Sequence, residues 1–323
     1  MARKARLVVP GAVYHVMGRC LEQYRLFSDD SDREYFLSLI EKYLQRTGTS
    51  CYAWVLMDNH YHFVLRLGER ELWELMKPLN MRYAQYHQKK TGRRGPLFMD
   101  RYKSIVTQDQ NYVQELVRYV HLNPVRAGVC INLTALQRYP WCGHNVLMGT
   151  TVRRFQDTRS VLRRFGKDVE TSRSAYCKYL ESGLKKSGAD DELITLVRRS
   201  NEGKEKGRKP HRWVIGDQKY VSSVLEKSEA RRLRVSRFER EGGNFDSIEK
   251  KICGLFKIHA GVLRTRQRGG KGSEARKVFA YVSARHYQAP VHRVAEHLGV
   301  SNGAVSAMVH KGREIVDKRG VAI

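Results

Sequence analysis

No stretch of the 323-residue sequence approaches the roughly 18 consecutive apolar residues that a membrane-spanning helix needs. The basic start, Met1 to Arg6, is followed only by Leu7, Val8 and Val9 before Pro10, too short an apolar run for a secretory signal. None of the six cysteines (20, 51, 130, 142, 177 and 253) forms a C-x-x-C pair. Zinc ribbons and disulfide scaffolds are therefore not expected, and the thiols read as reduced and mostly buried. A G-x-x-x-x-G-K-[ST] loop for a nucleoside triphosphate is missing, as are internal repeats and extended low-complexity tracts. Acidic residues are also short, with 33 Asp and Glu against 60 Lys and Arg. These absences lead to the expectation of a cytoplasmic chain away from membranes; the basic charge described next adds the expectation that it is nucleoid-associated.

What is present is positive charge in every part of the chain. The net charge of +27 divides into +8 for residues 1–150, +10 for 151–244 and +9 for 245–323. A single basic tail would not give that spread, and nucleic acid is the commonest polyanion that such a surface meets. The 41% of hydrophobic residues is ordinary for a folded chain.

Apolar patterning predicts a first strand over 12–17 and a helix over 29–46, capped by Ser28 or Asp29. A hairpin follows over 51–57 and 60–67, turning at Asp58-Asn59. A second helix over 71–90, a strand over 102–107 and a helix over 109–122, stopped by Asn123-Pro124, complete the region. The order β-α-β-β-α-β, then α, is that of an α+β, ferredoxin-like split βαβ domain over 1–150. Its antiparallel sheet would carry helices on one face and leave the other for substrate. Residues 151–244 read as a basic extension or linker, with a loop at 200–210, a dense basic segment at 231–240 and a boundary at Gly242-Gly243.

His60-Tyr61-His62 lies in a predicted strand, where alternate residues share a face, so both imidazoles project together. Two imidazoles can share one divalent ion. Alone, a strand pair at this spacing is more often a pair of ordinary, satisfied polar residues than a metal site. Its context is more specific. Pro10-Gly-Ala-Val-Tyr-His-Val16, Met57-Asp-Asn-His-Tyr-His-Phe-Val-Leu65, Gly95-Pro-Leu-Phe98 with Arg101-Tyr-Lys103, and Arg118-Tyr-Val-His-Leu-Asn-Pro-Val-Arg-Ala-Gly128 occur in that order. Over about residues 3–145 the chain resembles the REP-associated tyrosine transposases, single-tyrosine members of the His-hydrophobic-His nucleases.

The resemblance implies a ferredoxin-like catalytic domain in which His60 and His62 hold Mg²⁺ or Mn²⁺ and Tyr119 is the nucleophile. Asn123 stands where relatives carry a polar third metal ligand. His121 is a competing ligand, although helix phase turns it from Tyr119, and Tyr112 reads as a core aromatic. Arg101, Lys103, Arg118 and Arg126 are the candidate phosphate contacts near the site.

Toward the C-terminus, residues 291–310 fit a helix-turn-helix, with Ala295 at the crossing, Gly299 in the turn, Val305 as anchor and Ser301 as cap. Asn302, Ser306 and His310 would lie on the exposed side of the second helix, with Lys311 and Arg313 just beyond it. Together with Arg264, Arg266 and Arg268 and a helix over 273–287, this all-α domain (245–323) resembles the DNA-binding domain of bacterial replication initiators.

The implied activity is a metal-dependent, single-stranded DNA endonuclease and strand transferase that forms a 5′-phosphotyrosine, acting at hairpin-associated repeats. Its partners would be single-stranded and hairpin DNA, with duplex DNA held by the C-terminal domain, and the chain would act as a monomer. The alternatives are a catalytically silent DNA-binding regulator and a metal-dependent nuclease without a covalent intermediate.

Overall fold

The computed structural model describes residues 11–22, 24–68, 70–184, 213–240, 245–259, 261–265, 269–287 and 291–319, with the single residues 7, 9, 197 and 289. The chain divides into two units, Met1–Leu225 and Glu226–Ile323.

The first unit opens with β1 (Val13–Arg19), α1 (Asp30–Thr47), β2 (Ser50–Met57), β3 (His60–Arg66), α2 (Leu72–Thr91), β4 (Lys103–Thr107) and α3 (Asp109–Arg126). The strands lie in the order β2-β3-β1-β4 with antiparallel neighbours, the expected split βαβ arrangement. A short β5 (Val214–Ile215) adds to β4 in parallel, so the sheet is mixed. Asp29 caps α1 by accepting the Asp32 amide at 3.1 Å, and Gly48 ends that helix in the left-handed region at φ 61°.

Strand alternation divides the core in two. Tyr61, Phe63 and Leu65 point to one face and pack with Phe36, Ile40, Leu75 and Tyr83 of α1 and α2. On the other face Val13, Val55 and Val64 meet Val113, Leu116, Val117 and Val120 of α3. This corrects the expectation that the second face is left open. The apolar stripe on α3, spaced i, i+3, i+4, i+7, must be buried, and the sheet is where it goes. Around α3 are α4 (Leu133–Arg138), α5 (His144–Met148), α6 (Thr158–Leu162) and α7 (Val169–Leu184), with Tyr176 and Leu180 of α7 in the same core.

α3 also runs past its expected stop. It continues through Pro124 to Arg126. A proline inside a helix removes one amide and crowds the carbonyl four residues back. Just beside that break the Asn123 side-chain nitrogen donates to the Tyr119 carbonyl at 2.9 Å.

Residues 151–225 are not a separate linker, since their described part belongs to the first unit. The outer edge of β2 is covered by chain from the 141–157 region. Gly143 N donates to Trp54 O at 2.9 Å, Leu56 N to Trp141 O at 2.9 Å and Asp157 N to Cys51 O at 2.8 Å. Such cover removes the open row of amides that invites pairing with another chain. The chain therefore divides at 225/226 and not at the expected 150 and 244. The 200–210 loop and Gly242-Gly243 lie outside the described residues.

Helix α8 (Gln218–Arg240) precedes α9 (Phe245–Phe256), α10 (Gly261–Arg264), α11 (Gly270–Arg285), α12 (Val291–Leu298) and α13 (Asn302–Arg319). Phe245, Ile252, Leu263, Phe279, Leu298 and Val305 form the core of the second unit. Gly299 turns the chain at φ 60°, and Ser301 Oγ accepts the Ala304 amide at 3.2 Å. α13 is longer than expected, so Lys311 and Arg313 lie within it rather than beyond it. Gly312 sits directly over the Lys277 carbonyl of α11, where a side chain would not fit, and this close packing carries the helix on. No helix among the described residues is long and apolar enough to cross a membrane.

Candidate active site

His60 and His62 project from β3 toward α3, their ring centroids 5.0 Å apart. The turn before them is held in place because the Asp58 carbonyl accepts the amides of Leu26 (2.7 Å) and Phe27 (3.1 Å). His62 is buried at 2% exposure, whereas His60 is half-buried at the end of the strand. Across the sheet His62 stands opposite Met17 of β1, itself opposite Lys103 of β4, so this lysine shares a row and a face with His62.

Tyr119 comes down from α3 onto these rings. Its ring meets those of His15 and His62 edge-on, with centroid separations of 5.6 Å and 5.7 Å. It is 4% exposed. The structure thus brings together the three residues the sequence nominated from two distant segments.

It also adds His15, which sequence reasoning quoted within a motif but did not nominate. His15 Nε2 and His62 Nδ1 share a hydrogen bond of 2.8 Å, and the two rings stack. Strand alternation with Val13 and Met17 gives His15 its face, but the pairing of β1 with β3 is not written in the sequence. Burial lowers the His15 pKa to about 4. His62 is held well below the ordinary range, by burial first and then by neighbouring His15 and His60. Both are neutral at pH 7, the form in which imidazole coordinates a metal.

The hydrogen bonds also decide which nitrogen would do so. His60 Nδ1 donates to Asn59 Oδ1 at 2.6 Å, and His62 Nδ1 is engaged by His15, so Nε2 is the atom that each would offer to a metal. Fixing one ring nitrogen to orient the other is the usual support of a metal-binding histidine. Among the described residues no group of three or more His, Cys, Asp or Glu could hold a metal ion. A third side-chain donor would have to be of another type. Asn123 is buried and its amide nitrogen is committed to the Tyr119 carbonyl, so Oδ1 is what it would offer. His121 does turn away, and its Nδ1 bonds to the Tyr176 hydroxyl at 2.7 Å. Tyr112 is partly buried against the α3 core.

The cationic candidates separate. Arg101 and Lys103 are exposed. Arg118 is a correction: it is buried, with its guanidinium 4.3 Å from the centre of the Tyr179 ring. Its position on α3 faces α7 and not solvent. Arg126 is half-buried and donates to the Gly183 carbonyl at 3.3 Å, tying α7 to α3.

In the second unit Arg264 pairs with Glu249 at 3.2 Å and Asp246 at 3.7 Å. Asn302 and Lys311 are exposed. Ser306 Oγ donates to the Asn302 carbonyl at 3.1 Å, and His310 lies 3.2 Å from Glu314. Arg266 and Arg268 lie outside the described residues.

Sequence reasoning also missed a cavity of about 560 Å³ beside His60, with Arg19, Tyr24, Arg25 and Asn59 among its lining. Arg19 pairs with His60 across the sheet, which strand alternation alone would not have revealed.

Residues 8–123 match the model of the family described as "Transposase IS200 like". That segment is about a third of the chain and contains His15, His60, His62, Tyr119 and Asn123. In this N-terminal region the chain is similar to the IS200-like transposases. Among solved structures, one described as the "REP associates tyrosine transposase bound to a REP hairpin" is similar at 15% identity, with a TM-score of 0.38, over 52% of this chain and 93% of that one. No curated protein matches.

Proposed function

We propose that the chain is a metal-dependent enzyme that cuts and rejoins single-stranded DNA through a 5′-phosphotyrosine at Tyr119, acting at hairpin-associated repeats. The observation that carries this reading is the edge-on placement of Tyr119 against His62, whose ring in turn meets that of His60. The family match supports it.

His60 and His62 would hold Mg²⁺ or Mn²⁺ through Nε2, with Asn123 Oδ1 as the third donor. When bound, the ion supplies positive charge at the scissile phosphate and at the departing oxygen. Tyr119 Oη attacks phosphorus as the bond to the 3′ oxygen breaks, and the proton lost by the phenol is matched by one gained at the 3′ oxygen. The new ester keeps the energy of the old one, so a second 3′-OH reverses the step and joins a new strand. His15 holds the His62 ring in place throughout. Lys103, in the His62 row, and exposed Arg101 face the strand's phosphates. Binding then weakens steeply with salt. The C-terminal unit contributes duplex binding through Asn302, Ser306, His310 and Lys311, with Arg264, Arg266 and Arg268 nearby in sequence. The enzyme acts as a monomer in the cytoplasm.

Incubation with DNA hairpins bearing single-stranded tails and Mn²⁺ is expected to give a denaturation-resistant protein–DNA adduct that Tyr119→Phe abolishes. Adduct persisting in Tyr119→Phe overturns the assignment of the nucleophile. Cleavage without adduct points to a nuclease lacking a covalent step. One observation favours a second reading, a DNA-binding regulator without chemistry: Tyr119 is only 4% exposed. DNA binding with neither adduct nor cleavage in any divalent metal would establish it.

A further inference from the structure

The cavity beside His60 lies between the chain linking β1 to α1, the β2–β3 turn and the residues just after α3. Its wall has three characters. Arg19 and Arg25 bring two guanidinium groups, Tyr24 an aromatic ring, and Val129 an apolar side. Val129 is 52% exposed, a large apolar group left in water at the rim of a polar opening. The Arg93 guanidinium lies 3.1 Å from the Tyr24 ring centre, fixing the ring and adding positive charge behind it. Of the carboxylates at the rim, Asp58 is bound to Arg33 at 2.6 Å, so the arginines outweigh Glu22.

We propose that this cavity receives one unstacked nucleotide of a single DNA strand, the nucleotide adjoining the phosphate addressed by His60 and Tyr119. The inference rests on the strand-cutting reading above and specifies where that strand runs. Its volume is that of a small-molecule site. The combination of aromatic face, apolar side and flanking cations suits a base with its phosphates, because every base can stack while its backbone needs neutralising charge. A base held in a duplex cannot enter such a recess without leaving its stack. Position adds the strongest argument: His60 belongs both to the cavity wall and to the proposed metal pair, so a strand laid across the site places its next nucleotide here. Asn59 Oδ1 is occupied by His60 Nδ1. The Asn59 amide nitrogen is the group left to address a base, which favours bases presenting an acceptor edge.

The test uses full-length Tyr119→Phe protein in EDTA, which separates binding from chemistry. A hairpin with a randomised single-stranded tail is selected for binding, and abasic sites are then scanned through the tail of the best binder. One tail position is expected to stand out, with removal of its base weakening binding roughly 5- to 100-fold, the worth of one stacked base. That penalty should vanish in Tyr24→Ala, survive in Tyr24→Phe, and shrink in Arg25→Ala, whose exposed site makes misfolding a poor explanation. A flat scan, or a penalty undiminished in both Tyr24→Ala and Arg25→Ala, overturns the proposal. Either result is independent of adduct formation by the wild-type protein, so failure of the cavity and failure of the strand-cutting reading are told apart.

Discussion

Two histidine clusters border α3, and they differ in one decisive respect. On one face of the helix His15, His62 and His60 gather under Tyr119. On another, the Tyr176 hydroxyl bonds to His121 Nδ1 at 2.7 Å and to His144 Nδ1 at 3.0 Å. In both clusters every histidine has one ring nitrogen hydrogen-bonded. In the second, His121, His144 and Tyr176 are at most 1% exposed, and each Nε2 is buried with no hydrogen-bond partner among the described residues. The first opens through half-buried His60 onto a cavity. An imidazole becomes a ligand when its second nitrogen meets an opening, and remains a structural group when that nitrogen is sealed in. Under the proposed function the first cluster is chemical and the second architectural.

The largest effect expected is on chemistry at the first cluster. His62→Ala should slow single-turnover adduct formation with Mn²⁺ by on the order of 10³-fold or more, since charge stabilisation by the ion is worth several kcal/mol. Tyr176→Phe should change the same rate by less than about tenfold, consistent with distance from the reacting atoms. Equal losses in the two variants would break the comparison.

Stability should respond in the opposite sense. Tyr176 has one proton, so it donates to one imidazole and accepts from the other. Tyr176→Phe strands both Nδ1 atoms in the core, and a buried polar atom without a partner costs about 1–3 kcal/mol. A loss of roughly 2–6 kcal/mol is expected in urea unfolding, whereas a loss below about 1 kcal/mol would show that the hydroxyl is not what joins α7 to α3.

Acid titrates the same contrast. Burial lowers the His144 pKa from 6.5 to about 4 and holds His121 well below 6.5. The unfolded chain therefore takes up protons near pH 6.5 while the folded chain refuses them. Stability is full above about pH 6.5, falls as pH drops, and levels off for His144 below about pH 4. The His144 share is up to about 3 kcal/mol. Unfolding free energies measured between pH 7 and 4 should fall less steeply in His144→Gln; an unchanged slope would remove His144 from the acid response.

How much of this was legible follows from what each feature depends on. The strand order β-α-β-β-α-β came from apolar periodicity and turn residues, which are local, and it holds. The pairing of His60 with His62 was legible because two residues apart on one strand means one face. His15 was not, because its contact with His62 depends on the register between β1 and β3, set by packing along the whole sheet. Arg118 was misplaced for a related reason: a charged residue in a basic chain reads as surface until a segment 60 residues later, around Tyr179, is known to cover it. The cover came from residues 151–184, whose patchy apolar pattern becomes meaningful only against the exposed stripe of α3.

Asn123 is where the sequence made two readings, and one variant pair separates them. As a helix stop it was wrong, since α3 continues to Arg126. In the structure its side chain supports the helix by donating to the Tyr119 carbonyl at 2.9 Å, next to the amide that Pro124 lacks. Losing that bond in Asn123→Ala should cost about 1 kcal/mol of stability. Asn123→Asp puts an oxygen where the donor was, so it should be no more stable than the alanine variant. If Asn123 also gives Oδ1 to the metal, the two variants part in chemistry: alanine should raise the Mn²⁺ concentration for half-maximal adduct by roughly tenfold or more, as loss of a supporting group at a metal site does, and aspartate should restore it. Parallel behaviour of the two variants in both measurements would leave Asn123 as a helix support alone, and would confine the protein's side-chain donors to His60 and His62.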